Sequence, residues 1–290
     1  RQVVASGRAA ACRTGPSGRP SGPDGCHPGR MAELNGRPVG LDEITALALT
    51  NYGHFTTLRV EDGRVRGLAL HLDRLGRDCP ALFGAELDLD RVRTLLRRVA
   101  PAQGAATVRV TVFDPALDIG HPDRTGDPHI LVTHRQASSA SMLPLPPLRV
   151  RSVAYVRDAP EVKSVGLFAL LRHRRAARLA GYDDALFVDG DALISEGVTW
   201  NIGFFDGDTV VWPEAVQLAG VTMRLLQEAR KHRVAPVALA EVGSLDAAFA
   251  TNAAIGVRGI TAIDGTEFPD RHPAVDLLRE TYLEQPGELL

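Results

Sequence analysis

Lys163 is the side chain with the clearest chemical potential. It and Lys231 are the only lysines in a chain with 33 basic residues. Arginine stays protonated, whereas a lysine in apolar surroundings loses its proton and can attack a carbonyl. Lys163 stands between a strand-like run at 150–156 and a helix opening near Gly166, among Val162, Val165 and Leu167. That setting suits a Schiff-base nucleophile; position alone also fits an ordinary loop lysine. Glu196 closes a short strand in Ser195-Glu196-Gly197, with Trp200-Asn201-Ile202 close behind. A carboxylate there could pair with a protonated ring nitrogen or cap a turn. Gly220-Val221-Thr222 precedes a helix, where free backbone N–H groups and a hydroxyl suit a phosphate, or where Thr222 caps the helix. Thr251 and Asn252 follow a strand and offer further phosphate donors, and Arg74 on an earlier helix could pair with the same phosphate. An amine, a carboxylate and this set of phosphate donors together describe a pyridoxal-phosphate site.

Competing chemistries lack their signals. There is no P-loop and no GxGxxG after a strand. His71 and His129 are isolated and His173 sits on an Arg-rich helix face, so no metal site is expected. Ser195 is not in a nucleophile elbow. A net charge of −2 gives no electrostatic reason to expect nucleic acid or a membrane surface. No apolar run approaches the ~18 residues of a membrane span. With 44% hydrophobic and 23% charged residues the composition is that of a soluble globular protein. Three cysteines cannot make a disulfide framework, so a reducing, cytoplasmic setting is expected. The preference for arginine over lysine reads as codon bias in a GC-rich genome.

The elements that must position these residues form two sets. Residues 1–30, rich in Gly, Pro and Arg, read as a disordered tail or an over-extended reading frame, and Met31 opens the ordered pattern. An αβ domain is expected over 31–135. It holds a hairpin about Asp62-Gly63, helices over about 70–83 and 87–99, and strands at 107–113 and 129–133. Residues 136–148, with their serines and prolines, read as a linker. The domain at 149–290 shows hairpins about Asp189-Gly190-Asp191 and Asp206-Gly207-Asp208. It also shows helices at 166–179 and 222–232 and late strands at 248–250 and 257–262. Hairpins outnumber βαβ units, which gives α+β architecture with antiparallel or mixed sheets.

In order and spacing the chain resembles the class IV aminotransferases, the fold-type IV pyridoxal-phosphate enzymes. These include branched-chain and D-amino acid aminotransferases and aminodeoxychorismate lyases. The resemblance covers about residues 33–265. The run 55–60 before Asp62-Gly63 looks like the family's first hairpin, and His71-Leu72-Asp73-Arg74-Leu75 matches its HxxRL helix. Lys163 falls at the Schiff-base lysine, followed by Gly181-Tyr182-Asp183-Asp184-Ala185-Leu186. Ser195-Glu196-Gly197 through Asn201-Ile202 matches S-E-G-x-x-x-N-I/L, and Leu218-Ala219-Gly220-Val221-Thr222 matches L-P-G-I-T before Arg224.

The resemblance implies a small N-terminal αβ domain, a larger mixed-sheet pseudo-barrel domain, pyridoxal 5'-phosphate as cofactor and a homodimer. It gives Lys163 as the catalytic Schiff-base lysine and Glu196 as the partner of the pyridine nitrogen. It places Arg74, Asn201, Val221, Thr222, Thr251 and Asn252 at the cofactor, with Thr56, Thr57 and Phe168 facing substrate. The implied reaction moves an amino group between an amino acid and a 2-oxo acid. Phe168 stands where branched-chain enzymes carry a tyrosine, and Asp114-Pro115 replaces an arginine-glycine pair. Asn51-Tyr52-Gly53-His54 departs from the usual turn. Asn252 and the Thr56-Thr57 pair look more like the lyases, which eliminate pyruvate to give an aromatic amine. A cofactor-binding relative without turnover is the third alternative. The linker is expected to border the substrate pocket.

Overall fold

The computed structural model describes residues 32–137 and 144–290. The expected tail at 1–30, and residues 138–143 of the expected linker, lie outside the described residues. The first part runs β1 (Ala32–Leu34), β2 (Arg37–Pro38), α1 (Leu41–Thr50), β3 (His54–Glu61), β4 (Arg64–Arg66), α2 (Leu68–Phe83), α3 (Leu89–Val99), β5 (Ala105–Phe113) and β6 (His129–Gln136). Asp62 and Gly63 both take positive φ, 49° and 71°, as a tight two-residue hairpin turn requires. Asp88 accepts a hydrogen bond from the Arg91 N–H and caps α3, whose Val92, Leu95, Leu96 and Val99 are buried at helical spacing.

The second part continues with β7 (Leu148–Ala154), α4 (Phe168–Leu179), β8 (Asp184–Val188), β9 (Ile194–Gly197), β10 (Asn201–Asp206), β11 (Thr209–Pro213) and α5 (Val221–Ala229). It ends with β12 (His232–Ala235), β13 (Ala247–Asn252), β14 (Gly256–Ile263), β15 (Thr266–Glu267), α6 (Pro273–Glu284) and β16 (Gly287–Leu289). The helix expected over 222–232 stops at Ala229. Arg230 is extended (φ −135°, ψ 147°), and 232–235 pairs in parallel with β11 instead of prolonging the helix.

Seven strands form an antiparallel sheet in the order β16-β4-β3-β5-β6-β1-β2. The C-terminal strand thus belongs to the first sheet, although it lies within 149–290. Period-two alternation along β3 and β5 sends Leu58, Val60, Val108 and Val110 into a core under α2 and α3. The opposite face carries Phe55, Thr57 and Arg109. In the second sheet β10-β13-β14-β7-β8-β9 follow in order, and β9 pairs back onto β10. Those six strands close a barrel, the α+β pseudo-barrel architecture expected. Leu186, Trp200, Ile202, Phe204 and Ala250 fill one of its cores.

Candidate active site

The strand register of the barrel brings three polar residues abreast. Glu196 on β9 pairs with Asn201 on β10, and Asn201 pairs with Thr251 on β13. They open onto a cavity of about 290 Å³ between the barrel and the free face of the first sheet. That face contributes Phe55, Thr57, Arg109 and Arg135, and α2 contributes Arg74. The connection from β7 to α4 contributes Arg157, Lys163 and Leu167.

Lys163 is fastened to the first sheet although it follows the barrel strand β7 in sequence. Its carbonyl accepts from the Phe55 N–H (2.9 Å), and its N–H donates to the Asp78 carboxylate on α2 (3.2 Å). The Val165 N–H donates to the Gly53 carbonyl, 2.9 Å away. The amine lies 5.1 Å from the centre of the Phe55 ring. Burial, and after it the nearby Arg74, Arg157 and Arg109, bring its pKa down from 10.5 to about 7, against the opposing pull of Glu196. Much of this amine is therefore unprotonated, and nucleophilic, near neutral pH.

Glu196 is buried. Its carboxylate accepts from Arg157 Nε (2.6 Å) and from the Leu218 N–H. Burial pushes its pKa up, and Arg157 is the first group holding it down. The Asn201 amide donates to the Leu218 carbonyl (2.8 Å) and to Gln217 Oε1 (3.0 Å), tying down the loop that leads into α5. At Gly220 a Cβ would run into Asn201 Oδ1, so this position has room only for glycine. Asn201 thus braces the loop through its side chain, and Val221 at the start of α5 lines the cavity.

The residues assigned to phosphate divide. Arg74 is 6% exposed, its Nε has no partner, and it forms no ion pair among the described residues. Asp78, one turn further along α2, is occupied by Arg77 and by the Lys163 N–H. Burial lowers the Arg74 pKa to about 10. The Thr251 hydroxyl is likewise buried without a partner in the cavity wall. A buried guanidinium without a counter-ion and a buried hydroxyl without a partner are costly unless an anion satisfies them. The first turn of α5 supplies N–H groups and a positive helix end beside them.

Other assigned residues stand elsewhere. Asn252 lines the cavity, but its Oδ1 accepts from the Ala254 and Ile255 N–H groups and its amide donates to the Thr199 carbonyl. Its side chain shapes its own turn and is not a free donor. Thr222 neither caps α5 nor lines the cavity; its buried hydroxyl faces that of Tyr282. Thr57 lines the cavity, whereas the alternation of β3 turns Thr56 towards α2. The helix expected from 166 begins at Phe168, which is 80% exposed, and Leu167 just before it lines the cavity instead. The described end of the linker lines another cavity, of about 590 Å³, between Pro144–Pro147 and α6. Its buried-side Arg279 is already paired with Asp276.

Arg157, Arg109 and Arg135 are the site residues that the sequence did not single out. Arg109 lies 3.5 Å over the Phe55 ring, and burial followed by repulsion from Arg135 brings its pKa to about 10. Neither Arg109 nor Arg135 forms an ion pair among the described residues.

A lysine with a lowered pKa, a buried carboxylate and a buried guanidinium that forms no ion pair among the described residues thus meet in one small cavity. Residues 53–263 match the family model for class IV aminotransferases. A probable branched-chain-amino-acid aminotransferase of Rickettsia bellii is 27% identical over 86% of this chain and 93% of that one. The branched-chain aminotransferase of Thermoproteus uzoniensis, solved with norvaline, superposes with a TM-score of 0.74 at 20% identity, over 87% of this chain and 93% of that one. A hypothetical aminotransferase from Mycobacterium tuberculosis in its PLP-bound form gives 0.71 at 19% identity, over 87% and 97%. With its closed six-strand barrel and a family match over most of its length, this chain belongs to the class IV aminotransferases.

Proposed function

We propose that this protein is a pyridoxal-phosphate-dependent aminotransferase that moves an amino group between an amino acid and a 2-oxo acid. The observation that carries the reading is the cavity holding Lys163, with its pKa of about 7, beside Arg74, whose buried Nε has no partner. The residues present fit the cofactor. Arg74, the Thr251 hydroxyl and the Val221 N–H would hold its phosphate, Glu196 its ring nitrogen and Lys163 its aldehyde carbon. When bound, the cofactor supplies an electron sink for the bond-breaking step. Lys163 would anchor it, and its Nζ would take and give the proton that moves in the reaction. A pKa near neutrality lets the same amine both take and give that proton. Glu196 keeps a proton at the ring nitrogen. Phe55 and Leu167 limit the water that reaches the amine.

Arg109 and Arg135, without carboxylate partners on the wall opposite the barrel, suit the carboxylates of an acidic substrate such as a dicarboxylic 2-oxo acid. Of the features behind the lyase alternative, Thr57 and Asn252 line the cavity, Asn252 with its side chain held in its own turn, and Thr56 faces α2. A homodimer fits α1, none of whose residues is buried and which exposes Leu41 and Leu49, and it fits the exposed Phe168, close in sequence to Lys163. Light scattering that gave a fully active monomer would overturn the dimer.

The test of the main reading is the visible spectrum of the protein after incubation with pyridoxal phosphate and desalting, beside Lys163→Ala. The wild type should hold the cofactor with a band that the variant lacks. Addition of an amino acid alone should convert that band to the pyridoxamine form. A band without any response to amino donors would favour the catalytically degenerate alternative; no band in either protein would refute the reading.

A further inference from the structure

Behind Arg74 lies a hydrogen-bonded relay on the helix side of the first sheet. Arg74 Nη2 donates to Thr56 Oγ1 at 2.6 Å. The same oxygen lies 2.7 Å from His71 Nδ1, which is also 3.4 Å from Arg74 Nη2. All three residues are buried. A guanidinium only donates, so Thr56 Oγ1 accepts from Arg74, and the short contact with His71 Nδ1 holds that hydroxyl in place. The buried His71 ring is neutral. Burial, with Arg74 and Lys163 nearby, holds the His71 pKa well below its usual value and agrees with that state.

We propose that Thr56, backed by neutral His71, is a positioning residue that fixes the rotation of the Arg74 guanidinium towards the anion cradle. The proposal rests on the reading of that cradle as the cofactor's phosphate site. With Nη2 anchored on the helix side, the unpartnered Nε remains for the ligand. Without the anchor, the planar group can turn about its stem, and its bidentate geometry towards an anion is lost. Asp78 makes its hydrogen bonds to Arg77 and the Lys163 N–H, not to Arg74. Thr56 sits on the face of β3 away from the cavity, so its effect on a ligand runs only through Arg74.

The experiment compares binding of pyridoxal phosphate and of pyridoxal, which lacks the phosphate, by absorbance titration of the cofactor-free protein. Thr56→Val keeps the shape and removes the hydroxyl; Thr56→Ser keeps the hydroxyl. Thr56→Val should weaken pyridoxal phosphate by about tenfold and pyridoxal by less than about twofold, and Thr56→Ser should stay within about twofold of wild type for both. Equal weakening of the two ligands would mean a general packing defect and overturn the proposal, as would unchanged pyridoxal phosphate affinity in Thr56→Val. If Thr56→Val does not fold, His71→Asn is held to the same ligand comparison. Failure of the wild type to bind pyridoxal phosphate would instead refute the cofactor reading itself.

Discussion

Replacing Lys163 by methionine should make the cofactor-free protein more stable, and by an amount that depends on pH. The native fold holds this amine at a pKa of about 7 against 10.5 for an unperturbed lysine. A difference of that size corresponds to about 5 kcal/mol between the protonated and neutral forms. The folded-state value lies below the unfolded one. Above the unfolded value both states are neutral and the lysine costs nothing. As pH falls the unfolded chain takes up the proton first, and the cost grows until it is complete below the folded value. Linkage gives a cost of about 5 kcal/mol near pH 6 and about 2 kcal/mol near pH 9. A methionine side chain in this place would keep most of the stem's packing and remove the amine. Urea denaturation of the two cofactor-free proteins at one concentration should show Lys163→Met the more stable, with the gap about 2–3 kcal/mol larger near pH 6 than near pH 9. Titrations of groups remote from Lys163 cancel in that comparison. A gap independent of pH would show that Lys163 titrates like a solvated lysine and would refute the argument for its reactivity.

Gly220→Ala should lose cofactor retention and about 2 kcal/mol of stability, because the new methyl meets Asn201 Oδ1 in a braced loop; thermal melts and desalting after loading would read both. Arg157→Met leaves the buried Glu196 without its guanidinium and should cost about 3 kcal/mol in denaturant, with partial recovery in Arg157→Lys; an unchanged midpoint would contradict the pairing. Arg109→Leu should raise KM for a dicarboxylic 2-oxo acid about tenfold and leave that for an aliphatic one nearly unchanged; equal shifts for both would remove Arg109 from substrate recognition.

What the sequence disclosed followed the range of the forces involved. The β3–β4 hairpin was legible because Asp62-Gly63 fits one kind of turn, and α3 because its apolar residues keep a helical period under an Asp88 cap. Barrel closure was not derivable locally: the β9–β10 pairing depends on the whole ring of strands. The end of α5 was overrun because 230–232 contains no helix breaker, and its extended course answers to an edge on β11. The register of β9, β10 and β13 explains why Glu196 and Thr251 could be chosen from strand ends, with Asn201, supplied by the resemblance, between them. Thr56 and Thr57 were adjacent letters, and only the face of β3 on which each lies separates their roles. The three cavity arginines were hidden by abundance. Codon bias accounts for an exposed arginine as readily as for Arg157, and what distinguishes the latter is a contact with a residue 39 positions away.

The fastening of Lys163 explains why neither sheet alone carries the site. Its segment belongs to the barrel by sequence, but its backbone is held by Phe55 of β3, by Gly53 just before it and by Asp78 of α2. Arg74 reaches the barrel-side cradle from α2 while its anchor, Thr56, lies on β3. The amine and Arg74 are thus set from the same short stretch of β3 and the adjoining turn of α2, whereas Glu196, Thr251 and the α5 loop are set by the barrel. A shift of one sheet against the other by about 1 Å would move the amine and Arg74 together relative to Glu196, and positioning errors of that size are enough to cost about a hundredfold in rate. Substitutions that loosen this join, such as Asp78→Ala, should therefore lower both turnover and cofactor affinity, because the lysine and Arg74 lie on one side of the cradle and Thr251 and Val221 on the other. Unchanged turnover and affinity in that variant would show that the tie from Asp78 to the Lys163 N–H does not position the amine.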